Sequence, residues 1–194
     1  HPPTVDETTC IDDFGPLSVV RPASVAELGE QVRNAVAVYP LGGRTQLDLG
    51  IPPSRLGVAL DLTALAQVID YPARDMTITV QAGIRIAELR RLLAAEGQRV
   101  PLDVPHADRA TLGGTLATNT SGPRRLGAGT SRDYVIGITV VNDEGVETKA
   151  GGRVVKNVAG YDLCKLHVGA LGTLGVISQV TLKVRPRPEA QALL

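Results

Sequence analysis

The sequence predicts a mixed α+β fold, and three observations carry that prediction. A strand–helix–strand run opens the regular part of the chain, strand-length apolar runs separated by short turns follow it, and further helical stretches interrupt them. With 194 residues, 43% of them hydrophobic, there is material for one compact unit or for two small subdomains sharing an interface. Trp is absent and aromatic residues make up 3% of the chain, so the core must be built from Val, Leu, Ile and Ala.

Residues 1–16 are polar and proline-bearing and read as a loose arm. Leu17–Val20 is a short apolar strand. Ser24 and Glu27 form an S-x-x-E capping box ahead of a helix whose Val25, Leu28, Val32 and Val36 recur at helical spacing. A second strand, Ala37–Tyr39, ends at Pro40, and this βαβ spacing implies a parallel edge with a right-handed crossover. Val58–Leu62, Gln67–Tyr71 and Met76–Gln81 alternate or run apolar, with turn residues Pro72–Asp75 between the last two, and are expected to form a meander. A helix over Ile86–Glu96 puts Leu89, Leu92 and Leu93 on one face and Arg90 and Arg91 outside, and Gly97 closes it. Val100–His106 is a proline-held extended segment. Thr111 is placed to cap a short helix over Leu112–Thr118. Tyr134–Val141 and Val146–Lys149 form a hairpin about the turn Asn142–Gly145, and a last strand, Val176–Val184, stops at Pro186.

Composition excludes several functions. Twenty basic and twenty acidic residues leave no net field to gather nucleic acid or an anionic membrane, and few aromatic rings leave no stacking platform for bases. Cys10 and Cys164 lie far apart, and His106 has no partner at ligand spacing, so neither a disulfide framework nor a metal site is expected. No apolar run reaches the length of a membrane span, and HPPTVDETTC lacks the regions of a signal peptide. A reducing, cytoplasmic setting follows, with membrane association only through partners; an opening on His1 rather than Met suggests a trimmed start.

Two glycine loops are the candidates for chemistry. In RATLGGTLATNTSG, Arg109–Gly122, the first amides of the short helix have no partner inside it, and Gly113 and Gly114 would let an anion approach them. In PLGGRTQLDLG, Pro40–Gly50, Gly42 and Gly43 free the backbone at the carboxyl end of a parallel strand, where ligands collect, and Thr45 and Gln46 add donors. Each pair alone reads more simply as a tight turn; a phosphate or pyrophosphate would fit both. Neither loop is GxGxxG or a Walker loop, and the GxxGxxG of Gly169, Gly172 and Gly175 is not the dinucleotide fingerprint.

In this order, PLGGRTQL, TLGGTLATNTSGPRR, GTSRDYVIGI and GGRVVKNVAGYDLCKLHVGALGTLGVISQVTLKVRPRPE resemble the FAD-binding domain of the vanillyl-alcohol-oxidase/PCMH superfamily over Leu17–Glu189. VVKNVAGYDLCKL with SGPRR is similar to the FAD-binding second subunit of bacterial glycolate oxidase. The resemblance implies a PCMH-type fold of two α/β subdomains, a small parallel one over residues 17–61 and a larger, mainly antiparallel one over 62–189, followed by a tail at 190–194. It implies non-covalent FAD. Leu41, Gly42, Gly43, Arg44, Thr45 and Gln46 would wrap the pyrophosphate. Thr111, Leu112, Gly113 and Gly114 would lie along its other side, and Ala117, Asn119, Ser121 and Gly122 would run towards the flavin. Gly175, Val176 and Ile177 would meet the adenine end or ribityl chain. It also implies partner oxidoreductase subunits of flavin and iron–sulfur type, with a small 2-hydroxy acid as substrate of the whole complex.

Three departures from that pattern shape what is expected. Arg44 stands where relatives carry glycine or a flavin-bonding histidine, so it would either pair with phosphate or fill the cofactor's space. Leu171 replaces the acidic residue of GSEGTLG. The cap domain of relatives is absent from this sequence, and Tyr161, His106 and His167 each read more simply as structural than as a catalytic base, so turnover by the chain alone is not expected. A cofactor-free scaffold is the alternative, favoured by Arg44. On the FAD-binding reading, Gly42→Val or Gly113→Val would abolish FAD binding with little change in fold.

Overall fold

The computed structural model, which describes residues 7–152 and 162–189, divides most of its strands between two sheets. The first sheet contains β1 (Thr8–Ile11), β2 (Phe14–Val20), β3 (Val38–Leu41) and β4 (Val58–Asp61), in the order β1-β2-β4-β3. β2 and β3 each pair parallel with β4, and β1 pairs antiparallel with β2. Helix α1 (Val25–Asn34) joins β2 to β3. Its cap follows the sequence signature: Ser24 Oγ accepts from Glu27 N at 3.1 Å, and the Glu27 carboxylate accepts from Ala23 N.

The second sheet is antiparallel throughout. It orders β5 (Val68–Asp70), β6 (Thr77–Gln81), β10 (Val176–Lys183), β8 (Val135–Val141) and β9 (Glu147–Gly151) as β5-β6-β10-β8-β9. Helices α2 (Ile86–Ala95), α3 (Leu112–Ala117), α4 (Arg125–Ala128) and α5 (Leu163–His167) belong to the same half, with the short strand pair β7 (Gln98–Arg99) and β11 (Arg185–Pro186) at its margin. The main core joins β6, β8 and β10 to α2 and α3. Leu112 and Leu116 of α3 are fully buried in it, and each such leucine contributes about 1.5–3 kcal/mol. A second cluster packs Leu28 and Val32 of α1 against Leu60 of β4, Val141 of β8 and Val176 of β10, which binds the two sheets together.

Four local expectations change. Residues 8–16 are not a loose arm, because β1 and the start of β2 pair by backbone bonds while Ile11 and Phe14 pack on the third apolar cluster. α1 ends before Val36, which is exposed, and β3 runs through Pro40 to Leu41. Pro40 lacks an N–H, and the parallel ladder tolerates it because β3 is an edge strand. The expected meander does not form: β4 inserts between β2 and β3, and only β5 and β6 pair with each other. Residues 1–6, 153–161 and 190–194, with the whole of the VVKNVAGY motif, lie outside the described residues.

Candidate functional site

A cleft of about 570 Å³ opens between the loop that follows β3 and the face of α3, within the range of roughly 300–1,000 Å³ usual for cofactor-sized ligands. Leu41, Gly42, Gly43, Arg44, Thr45 and Gln46 all line it from one side, and Thr111, Gly114 and Ala117 from the other. A narrower branch of about 50 Å³ shares Leu41, Gly42, Thr111 and Gly114 with the cleft and adds Gly113, Gly175 and Ile177. Leu112 and Val176 lie behind this wall as core residues.

The glycines bring protein against protein. A Cβ on Gly42 would fall inside contact with Thr111 Oγ1 and stand 3.2 Å from Thr111 Cβ. One on Gly43 would collide with the Arg109 carbonyl and stand 2.9 Å from Ala110 N, and one on Gly113 would stand 2.9 Å from Ala82 Cβ. Gln46 Oε1 accepts from Thr120 Oγ1 at 2.9 Å and completes the seam between the loop and α3. The expectation that valine at position 42 or 113 would leave the fold almost unchanged is therefore corrected.

The expected donors also move. The first amides of α3 are committed: Leu112 N donates to Ile84 O at 2.9 Å, Gly113 N to Ala82 O at 2.7 Å and Gly114 N to the capping Thr111 Oγ1 at 3.3 Å. At the other end of α3, Gly169 N and Leu171 N donate to Leu116 O and Ala117 O. In contrast, the amides of Gly42, Gly43, Arg44, Thr45, Gln46 and Leu47 have no hydrogen-bond partner among the described residues. Consecutive amides of this kind, beside a residue in the left-handed region (Arg44, φ 54°), suit an anion.

Asn119, Ser121 and Gly122 do not line the cleft. Asn119 Oδ1 accepts from Ser131 Oγ, and Ser121 Oγ accepts from Ser131 N, both at 2.9 Å, while Gly122 packs on Asp103. These residues fasten the segment after α3 to the turn before β8. Arg124 is likewise engaged, gripping the Asp103 carboxylate through Nε and Nη2. That hydrogen bond holds the Asp103 carboxyl below the usual carboxylate range against the opposing effect of desolvation. A depressed carboxyl contributes stability that is present above its unfolded value and lost as pH falls through its folded one. The stability gap between the wild type and Asp103→Asn should hold from neutrality to about pH 5 and close in stronger acid, as urea midpoints across pH will show; a gap independent of pH would contradict it.

Arg44 neither points a free charge at the cleft nor fills it: its Nη2 donates to Asp61 Oδ2 at 3.3 Å and Glu7 Oε1 at 3.2 Å. Burial alone would push the Asp61 carboxyl up, but hydrogen bonds from Thr63 and Arg21 outweigh it and hold it below the usual range. Sequence reasoning missed Asp61, although a carboxylate inside the apolar run VALDL was the available signal. It also missed Val104, Pro105 and the stretch Ile51–Pro53 as cleft wall. Of the candidate bases, His106 lines the cleft, with φ 50°. His167 lies half-buried in α5, where burial lowers its pKa. Tyr161 falls outside the described residues. Among the described residues, no three His, Cys, Asp or Glu side chains converge on a metal site, and no helix is long and apolar enough to cross a membrane.

Residues 16–151 match a family model described as an FAD binding domain. Among curated proteins, the chain is 37% identical over 170 residues to the glycolate oxidase subunit GlcE of Escherichia coli (strain K12), covering 85% of this chain and 48% of that protein. It is 33% identical over 183 residues to the glycolate oxidase subunit GlcD of Bacillus subtilis (strain 168), covering 92% of this chain and 39% of that protein. A solved structure of an alkyldihydroxyacetonephosphate synthase superposes with a TM-score of 0.75 at 29% identity, covering 89% of this chain and 32% of that one. The chain thus spans half or less of the length of these relatives.

Proposed function

Because this chain belongs to the FAD binding domain family, we propose that it holds FAD non-covalently in the cleft, with the diphosphate against the amides of the Gly42–Leu47 loop, as part of a 2-hydroxy-acid-oxidising flavoprotein assembly. The observation that carries this reading is that run of consecutive unpartnered amides, placed at the carboxyl end of a parallel strand and facing α3 across the cleft. Thr111, Gly114 and Ala117 form the opposite wall, Gly113, Gly175 and Ile177 the narrow branch, Leu112 and Val176 lie behind that wall in the core, and Asn119, Ser121 and Gly122 fasten the segment that follows α3.

Bound FAD would supply a hydride acceptor for a small 2-hydroxy acid. The protein's share is to fix the diphosphate through backbone donors and to exclude water with the apolar wall of Leu41, Val104 and Ala117. His106 is the cleft-lining imidazole available to a substrate proton. Two relatives are named as subunits, which supports a role beside further oxidoreductase subunits; a cytoplasmic setting, with membrane contact only through such subunits, belongs to the same proposal.

FAD titration into the purified chain tests the reading. Saturable quenching of flavin fluorescence is expected, together with a rise in thermal midpoint, since ligand at 100 times its Kd stabilises the native state by about 2.7 kcal/mol. No saturation and no shift would overturn it.

A further inference from the structure

At the carboxyl end of the parallel strands, each strand contributes one charged group to a single cluster. The order β2-β4-β3 puts Asp61, the last residue of β4, in the middle, while Arg21 directly follows β2 and Arg44 lies just past β3. Arg21 Nη2 donates to Asp61 Oδ2 at 2.8 Å, the same oxygen that Arg44 reaches. Asp61 Oδ1 accepts from Thr63 N at 3.0 Å and Thr63 Oγ1 at 2.6 Å, so both carboxylate oxygens are engaged. Glu7 reaches across both arginines, and two cations face two anions. The Asp61 side chain is only 5% exposed, which makes this a fixed anchor rather than a screened surface pair. Arg44 itself sits at φ 54°, a conformation that disfavours any residue with a Cβ unless its surroundings enforce it.

We propose that Asp61 is a positioning residue for the anion loop: it draws the Arg44 guanidinium onto the sheet edge, and this tether keeps residue 44 in the left-handed conformation that sets the course of the Gly42–Leu47 amides. Arg44 then acts as a strut and not as a phosphate ligand. For its ligand this role rests on the reading of the cleft as an FAD site; the tether itself does not.

Two substitutions at one position separate strut from ligand. Arg44→Gly and Arg44→Ala both remove the charge, but only glycine takes the left-handed conformation unaided. FAD titration is expected to show Arg44→Gly within about twofold of the wild type, with the same salt dependence, and Arg44→Ala weakened about tenfold, or roughly 1.4 kcal/mol. Equal weakening of both variants, with a shallower salt dependence, would make Arg44 a phosphate ligand and overturn the strut. A measurement without FAD decides the tether: in Asp61→Asn, trypsin should cut after Arg44 about tenfold faster than in the wild type, because cleavage follows the population of the opened loop. An unchanged rate would overturn the role of Asp61 even if the wild type bound no FAD, a result that would by itself remove only the cofactor reading.

Discussion

Gly42→Val is expected to lower the thermal midpoint of the FAD-free chain by roughly 10 °C, from overpacking of about 3 kcal/mol, and to abolish saturable FAD binding with it. The added Cβ would fall inside contact with Thr111 Oγ1 and stand 3.4 Å from Thr111 Cγ2. Thr111 cannot retreat freely, because it is 2% exposed and its hydroxyl caps α3 through Gly114 N. Pushing it aside removes a cap of about 1 kcal/mol and drags on Leu112 and Leu116, whose side chains are fully buried. The loop and the helix are two walls of one cleft, so stability and binding should fall together. Thermal unfolding without ligand checks this; an unchanged midpoint with lost binding would show that the valine merely blocks the cofactor.

That contrast marks what the sequence could and could not tell. Glycine pairs in PLGGRTQL and TLGGTL signal that backbone comes close to something, and they located both walls of the cleft. They do not say what approaches, and here it is Thr111, Arg109 and Ala82. Amides at the start of a helix carry the same ambiguity: Leu112 N and Gly113 N looked free along the chain but bond across space to Ile84 and Ala82, whereas the loop amides were left without partners. Polar turn residues such as Asn119 and Ser121 can face a ligand or one another, and their spacing is identical in both cases.

The fold was more legible, because caps and apolar spacing are local. Ser24, Glu27 and Thr111 cap the helices that they were read to start. β4 was misassigned because an apolar run of strand length does not reveal which sheet receives it. β1 was missed because edge pairing is made by backbone, to which the composition of TVDETTC is blind. The boundary near residue 61 came from the resemblance and not from the apolar pattern, which offers no mark there beyond the end of a strand.

The junction of the two sheets makes the last and largest prediction. Gly29 lies in the middle of α1, where helix propensity alone would favour alanine by about 1 kcal/mol. Packing points the other way. A Cβ there would stand 2.5 Å from the carbonyl oxygen of Gly145, at the turn between β8 and β9, and that oxygen also accepts from Arg33 Nη1 at 3.1 Å. The obstacle is backbone in a turn that needs φ 70° at Gly145, so it cannot swing away as a side chain could. Relief must come from lifting α1, and that opens the contacts of Leu28 and Val32 with Val141 and Val176. Gly29→Val should therefore cost about 4 kcal/mol, the clash of overpacking plus part of the burial lost, and Gly29→Ala about 2 kcal/mol despite its better propensity. Urea unfolding of both variants measures it. A stabilised Gly29→Ala would mean that α1 leaves the Gly145 turn at no cost, and that the clasp between the sheets lies elsewhere.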